Sequence, residues 1–326
     1  MRRREFIAGA GTVVFCSSAR AADENSKTIG LLLGGRAEDP LWQSFVGAFV
    51  QKLAQLGWIE GRNLRLEYRW AAGDVVRMRG GAQELVAMRP DAILAGTAPT
   101  IPFLLNETQT IPIVFVLVID AIALGAVRNL AKPGGSVTGF TNFEVSMGGK
   151  WLGLLKEVAP SIKRVGCMFN PEMDTGFAEV LISSIKGAAP SFGVEISLAK
   201  VQTDADVGGA LQGLSDDGGL ILLPGNFNAT HRRVIAELAG RYRVPVISPF
   251  DFYPNVGGLM SYGTVSEDEF RNAATYMDRI FNGAKPGDLP VQMPTRFKLV
   301  INLKQARAQH LEIPPTLLAR ADEVIE

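Results

Sequence analysis

The sequence has 326 residues, 47% hydrophobic and 20% charged, with 33 basic and 33 acidic side chains. That length favours two domains over one α/β core. The balanced charge excludes long disordered tails and a basic field for nucleic acid. Only two His and two Cys are present, and none stands in zinc-site spacing.

The chain opens Met1-Arg-Arg-Arg-Glu-Phe-Ile7, a basic start followed by a small apolar run from Ala8 to Phe15. Ala19-Arg20-Ala21 then fits a small-x-small cleavage site, so residues 1–21 are expected to be an export signal peptide. The apolar run is well short of the roughly 20 residues that cross a bilayer, so no membrane-embedded segment is expected. Arg3-Arg4 suits either the twin-arginine or the general secretory route. Phe15 before Cys16 argues against a lipid anchor, and the periplasm is the expected location.

The mature chain reads as alternating strands and helices. Thr28 to Leu33 is an apolar strand ending at Gly34-Gly35, and Leu41 to Leu56 is an amphipathic helix stopped by Gly57. Residues 63–70 form an edge strand, and Asp74 caps a helix that runs to Met88. Ala92 to Ala95 is a strand with Gly96-Thr97-Ala98-Pro99 at its tip. Ile113 to Val118 is a short β-branched run, buried on both faces as in a parallel sheet, and it ends at Asp120. A helix is expected over Ala121 to Leu130. The result is βαβαβαβ, a parallel sheet with helices on both faces.

A second series follows Phe143. Helices are expected over 146–158, 176–189, 204–214 and 229–241, and strands over 164–170, 194–199, 219–224 and 245–248. The tail adds a strand over 258–262 and a helix over 266–281, capped by Ser266 with Glu269 three residues on. A strand over 297–301 and a helix over 303–309 complete it. Neither lobe closes without these elements. Three chain crossings are therefore expected, near 141–145, near 253–256 and in the Pro286–Pro294 stretch. Residues 27–142 plus 255–285 would form one lobe, and 143–254 plus 286–326 the other.

Catalytic constellations are not in evidence. Both His231 and His310 read as solvated helix positions. There is no Gly-x-Ser-x-Gly elbow and no phosphate-binding Gly-x-x-x-x-Gly-Lys loop. Gly148-Gly149-Lys150 reads as a close-packed helix start. The strand tips instead offer a small-molecule cradle: Gly34, Gly35, Thr97, Ala98, Asp120, Thr141, Asn142, Asn170, Asn226 and Asp251 all fall at carboxyl ends of apolar strands, where open α/β sheets bind ligands. Trp42, Phe143, Phe227, Phe250, Phe252 and Tyr262 could flank an apolar or aromatic group. Asp120 and Asp251 could each hold a ligand ammonium. Asp120 could equally cap the segment after it, and Asp251 could serve a hinge loop.

Short segments along nearly the whole mature chain carry a resemblance. They are Leu56-Gly-Trp-Ile-Glu-Gly-Arg-Asn63, Leu85-Val-Ala-Met-Arg-Pro-Asp91, Thr110-Ile-Pro-Ile-Val-Phe115, Leu130-Ala-Lys-Pro-Gly-Gly-Ser-Val-Thr-Gly139 and Phe169-Asn-Pro171. Gly257-Gly-Leu-Met-Ser-Tyr-Gly263 and Leu289-Pro-Val-Gln-Met-Pro-Thr295 join them. Together they resemble the substrate-binding proteins of ABC importers related to tryptophan and tyrosine uptake. The resemblance implies two Rossmann-like lobes of the type I periplasmic-binding-protein kind, a ligand in the cleft, and a permease with its ATPase as partners. From the residues themselves no cofactor, no metal and no catalysis are expected. Many relatives carry Ser/Thr and Asp before Pro after the fourth strand, where this chain has Val118-Ile119-Asp120-Ala121. That departure broadens the expected ligand to an amino-acid-like molecule or an aromatic or branched apolar carboxylate. A periplasmic sensor on the same fold and, further off, an exported enzyme are the alternatives.

Overall fold

The computed structural model describes residues 26–142, 144, 146–172 and 177–326. The export-signal expectation and Phe143 lie outside them.

The first lobe begins with β1 (Lys27–Leu33), α1 (Pro40–Gln55), β2 (Leu64–Trp70), α2 (Val75–Ala87), β3 (Ala92–Gly96), α3 (Thr100–Glu107), β4 (Ile113–Val118) and β5 (Val137–Thr141). Its sheet runs β2-β1-β3-β4-β5, parallel throughout. Alternate strand residues point to opposite faces. Ile29, Leu31, Leu94 and Val114 meet Phe45, Phe49 and Leu53 of α1 on one side. Leu32, Ile93, Ile113 and Phe115 meet Ala82, Leu85 and Leu104 on the other. Burial on both faces is why these strands are apolar without interruption.

The second lobe follows with α4 (Met147–Val158), β6 (Arg164–Phe169), α5 (Phe177–Phe192), β7 (Glu195–Lys200), α6 (Asp204–Gln212), β8 (Gly218–Leu222), α7 (Asn226–Thr230), α8 (Arg232–Tyr242) and β9 (Val246–Ser248). The tail supplies β10 (Met260–Thr264), α9 (Ser266–Phe281), β11 (Phe297–Asn302), α10 (Leu303–Ala308), α11 (Pro315–Leu318) and β12 (Glu323–Ile325). The second sheet runs β12-β11-β10-β9-β8-β6-β7, with β10 and β11 antiparallel and the other pairs parallel.

Strand order corrects the expected partition. β10 lies between β9 and β11, so residues 260–264 belong to the second lobe rather than the first. The chain returns to the first lobe between Thr264 and Ser266, where α9 packs Phe270, Ala273 and Met277 against the α1 face. Residues 286–292 also stay with the first lobe: Leu289 and Val291 are in its two cores, and Gln292 bridges to Phe140. The third crossing therefore falls between Gln292 and Phe297.

Three local expectations also change. Residues 121–130 form turns, not a helix, because the chain enters the left-handed region at Gly125 (φ 68°) and Ala126 bonds back to Ala121. The helix expected over 229–241 is two, broken at His231. Ser266 is not a cap: Val265 holds that position with no side-chain bond, and Glu269 turns inward.

Trp151 of α4 is fully buried and donates its indole N–H to the Tyr262 carbonyl of β10 at 2.7 Å. Trp151→Phe retains most of the apolar volume but strands that carbonyl. It should cost about 1–2 kcal/mol, read as a lower urea midpoint at unchanged slope. A midpoint within error of wild type would show that the carbonyl finds another donor.

Candidate functional site

In parallel sheets the loops after the strands gather at one end, and here those ends from the two lobes face each other. A cavity of about 300 Å³ lies between them. The first lobe contributes Leu41, Trp42 and Phe45 from α1, Thr97, Ala98 and Pro99 from the β3 tip, and Leu117, Ile119 and Leu124 around the β4 tip. The second contributes Pro224, Gly225, Asn226 and Ala229 around α7, and Phe250 and Phe252 after β9. Asn142, at the first crossing, completes the lining.

The walls are aromatic. Trp42 meets Phe45 edge-on at 5.8 Å and Trp70 at 6.4 Å, which fixes the indole. Phe250 and Phe252 stack at 5.0 Å on the opposite lobe. Gly35 admits this arrangement, since a Cβ there would collide with the Trp42 indole. Gly34 leaves the same kind of space for the Thr97 side chain.

The polar content is small and neutral. Thr97 holds an unusual φ of 143°, and its buried Oγ1 has no hydrogen-bond partner among the described residues. Asn142 is 4% exposed, and its Oδ1 is likewise without a partner. Buried polar atoms without partners cost stability unless something fills them. Among the described residues, the cavity lining carries no charged side chain.

β4 is irregular where it meets the cavity. Its register against β5 shifts between Phe115 and Val118, and Leu117 is left-handed (φ 56°). That conformation gives the Leu117 N–H to Glu269 Oε2 at 2.9 Å. Glu269 also receives the Thr264 hydroxyl at 3.4 Å and is 6% exposed. Burial pushes its carboxyl up to about 8, against the opposing pull of the Leu117 and Thr264 bonds.

The lobes also touch directly. Arg232 of α8 grips Asp39, the N-cap of α1, with Nη2 to Oδ1 at 2.7 Å and Nη1 to Oδ2 at 3.1 Å. Asn226 approaches Gly73 so closely that a Cβ there would lie 2.9 Å from its amide nitrogen. The two lobes are thus closed on one another.

Of the residues expected from sequence, Trp42, Thr97, Ala98, Asn142, Asn226, Phe250 and Phe252 line the cavity. Gly34 and Gly35 lie behind Thr97 and Trp42. The others among the described residues are elsewhere. Asp120 is exposed and caps the turn after β4, accepting from the N–H groups of Ile122 (3.0 Å) and Ala123 (2.9 Å). Asp251 lies outside the lining. Burial, then repulsion from Glu267, raises its carboxyl to about 6, partly offset by Lys298. Asn170 accepts from the Glu172 N–H at the β6 tip. Phe227 is in the core below α8, with His231 stacked on it at 4.0 Å. His231 is therefore half-buried, not a solvated position. Thr141 lines a separate cavity of about 410 Å³ behind the crossings, and Tyr262 a groove of about 830 Å³ on the outer side of the second lobe.

Sequence reasoning missed Leu41, Phe45, Pro99, Leu117, Ile119, Leu124, Pro224, Gly225 and Ala229. Leu41 and Phe45 were legible in principle, as an i, i+4 pair in the first turns of the helix after β1. The Asp39–Arg232 pair spans 193 positions and left no local signal.

A family model described as ABC transporter substrate binding protein matches residues 37–325. The tyrosine-binding protein of Clostridioides difficile is 24% identical over 331 aligned positions, covering 97% of this chain and 94% of its own. Among solved structures, a conserved domain protein from Vibrio cholerae is 28% identical, with a TM-score of 0.83 over 92% of this chain and 100% of its own. An ABC domain in complex with L-Trp from Streptococcus pneumoniae also gives 0.83, at 22% identity and the same coverage, and shares the fold.

Proposed function

The chain belongs to the family of ABC transporter substrate-binding proteins, and on that premise we propose that it captures a small aromatic or branched apolar carboxylate, amino-acid-like in size, and delivers it to a membrane permease driven by its ATPase. Membership makes it an exported, periplasmic transport protein without catalytic activity. No helix among the described residues is long and apolar enough to cross a membrane.

The observation that carries the ligand class is the cavity between the lobes, aromatic on both sides and, among the described residues, polar only through neutral groups. Its volume, about 300 Å³, suits a single-ring molecule enclosed on most of its surface. The tyrosine-binding relative supports an aromatic ligand. Neutral donors are enough for a carboxylate, as Thr97 and the Asn142 and Asn226 amides can hydrogen-bond its oxygens. Asp120 is occupied as a cap, and Asp39 is matched by Arg232, so neither serves as counter-ion to an ammonium.

Native mass spectrometry of gently purified protein should reveal one bound small molecule carrying an aromatic or branched apolar group. Adding it back to stripped protein should lower the radius of gyration in solution scattering, since ligand closes the lobes about the three crossings. A retained sugar or polyol, or identical scattering curves at demonstrated saturation, would defeat the proposal.

A further inference from the structure

The Asp39–Arg232 pair joins the two lobes at the elements that wall the cavity. Asp39 begins α1, which carries Leu41, Trp42 and Phe45. Its Oδ1 also accepts the Leu41 N–H at 3.0 Å, so the carboxylate is fixed to the helix that bears the aromatic wall. Arg232 donates from Nη1 to the Ala229 carbonyl at 2.8 Å, and its guanidinium lies 5.6 Å from the Phe252 ring. Ala229 and Phe252 both line the cavity. Each partner of the ion pair is therefore fixed to the cavity wall of its own lobe.

A two-pronged guanidinium–carboxylate contact is short-ranged and directional. It forms at one separation of the lobes and is lost when they part by a water's width. Arg232 is 9% exposed in the closed form, but both groups would be hydrated in an open one. The pair therefore rewards full closure without burdening the open state. A ligand too bulky for about 300 Å³ holds the walls apart and forfeits the contact.

We infer that Asp39 and Arg232 are specificity-determining positioning residues, a gauge that stabilises full closure of the lobes and so favours a ligand that the closed cavity can hold. The inference rests on the ligand-capture reading above, and one arm of its test is independent of any ligand. Spin labels at Gln51→Cys in α1 and Ser183→Cys in α5 report the separation of the lobes. Ligand-free protein should show a short-distance population that Arg232→Gln and Asp39→Asn each deplete. Asparagine retains an acceptor for the Leu41 N–H, so α1 keeps its start. The double variant should be no worse than either single one. Arg232→Lys keeps the charge but not the fork, and should behave like Arg232→Gln.

The second arm uses L-tyrosine and the bulkier L-tryptophan as probes. For a probe that wild type retains, each single variant should dissociate at least tenfold faster at a similar association rate. The preference between the two probes should also shrink. A short-distance population that is absent in wild type or unchanged in the variants would overturn the gauge, as would additive effects or a lysine variant equal to wild type. Failure of both probes to bind, with the distance results as expected, would refute an aromatic amino acid as the ligand and leave the gauge standing.

Discussion

Ala229→Trp is expected to abolish ligand capture while leaving the fold intact. Ala229, like Asn226, is an α7 residue that lines the cavity from the second lobe, while Leu41, Trp42 and Phe45 of α1 line it from the first. An indole there takes up much of about 300 Å³. In a closed core, such overpacking costs about 1–3 kcal/mol or more. Here the lobes can part and place the ring in water, so the cost falls on the closed state alone. Calorimetry with the co-purifying molecule should show affinity down roughly 100-fold or more, equivalent to about 3 kcal/mol. Thermal unfolding should stay within a few degrees of wild type, and the scattering curve should remain that of the open form with or without ligand. Affinity within a few-fold of wild type would mean that the ligand sits elsewhere.

The sequence was most legible where burial is two-sided. Residues 27–33, 92–96, 113–118, 164–169 and 218–222 read as strands because helices cover both faces, which demands apolar runs rather than alternation. It was least legible where distant segments decide the outcome. Ser266 and Glu269 have the spacing of a capping box, yet Glu269 turns inward because β4 presents it with the Leu117 N–H, 152 positions away. Asp120 has the position of a ligand contact, but it lies outside the cavity lining and accepts from two N–H groups of the turn beside it. The crossing expected at 253–256 moves to 264–266 because β10 inserts between β9 and β11, and strand order leaves no trace in local pattern. Six of the sixteen lining residues, Thr97, Ala98, Asn142, Asn226, Phe250 and Phe252, were legible as strand tips. The remainder comes from helix starts and from β4's irregular end, where backbone geometry, not residue type, turns Leu117 toward the cleft.

Glu269 is where stability and pH should be linked most strongly. Its carboxyl is raised by burial from 4.5 to about 8, so the folded protein holds a proton there that the unfolded chain has released. Between those two values the folded state binds more protons, so stability falls as pH rises from about 4.5 to about 8 and is flat beyond. The nominal shift corresponds to at most about 5 kcal/mol, an order-of-magnitude ceiling. Asp251 acts in the same direction over a lower window, since its carboxyl is raised from 3.8 to about 6. Glu269→Gln keeps an acceptor for the Leu117 N–H and cannot ionise. Its urea midpoint should decline with pH only as far as about 6, while wild type continues to decline to about 8. Glu269→Ala removes the acceptor as well, leaving a buried N–H on a left-handed residue, and should cost about 2–4 kcal/mol near neutral pH. Because Leu117 lines the cavity and Thr264 ends the strand before the second crossing, that loss should also loosen ligand binding, whereas the glutamine variant should bind as wild type does. Parallel midpoint-versus-pH curves for wild type and Glu269→Gln would show that Glu269 is ionised in the folded protein and that burial does not govern it.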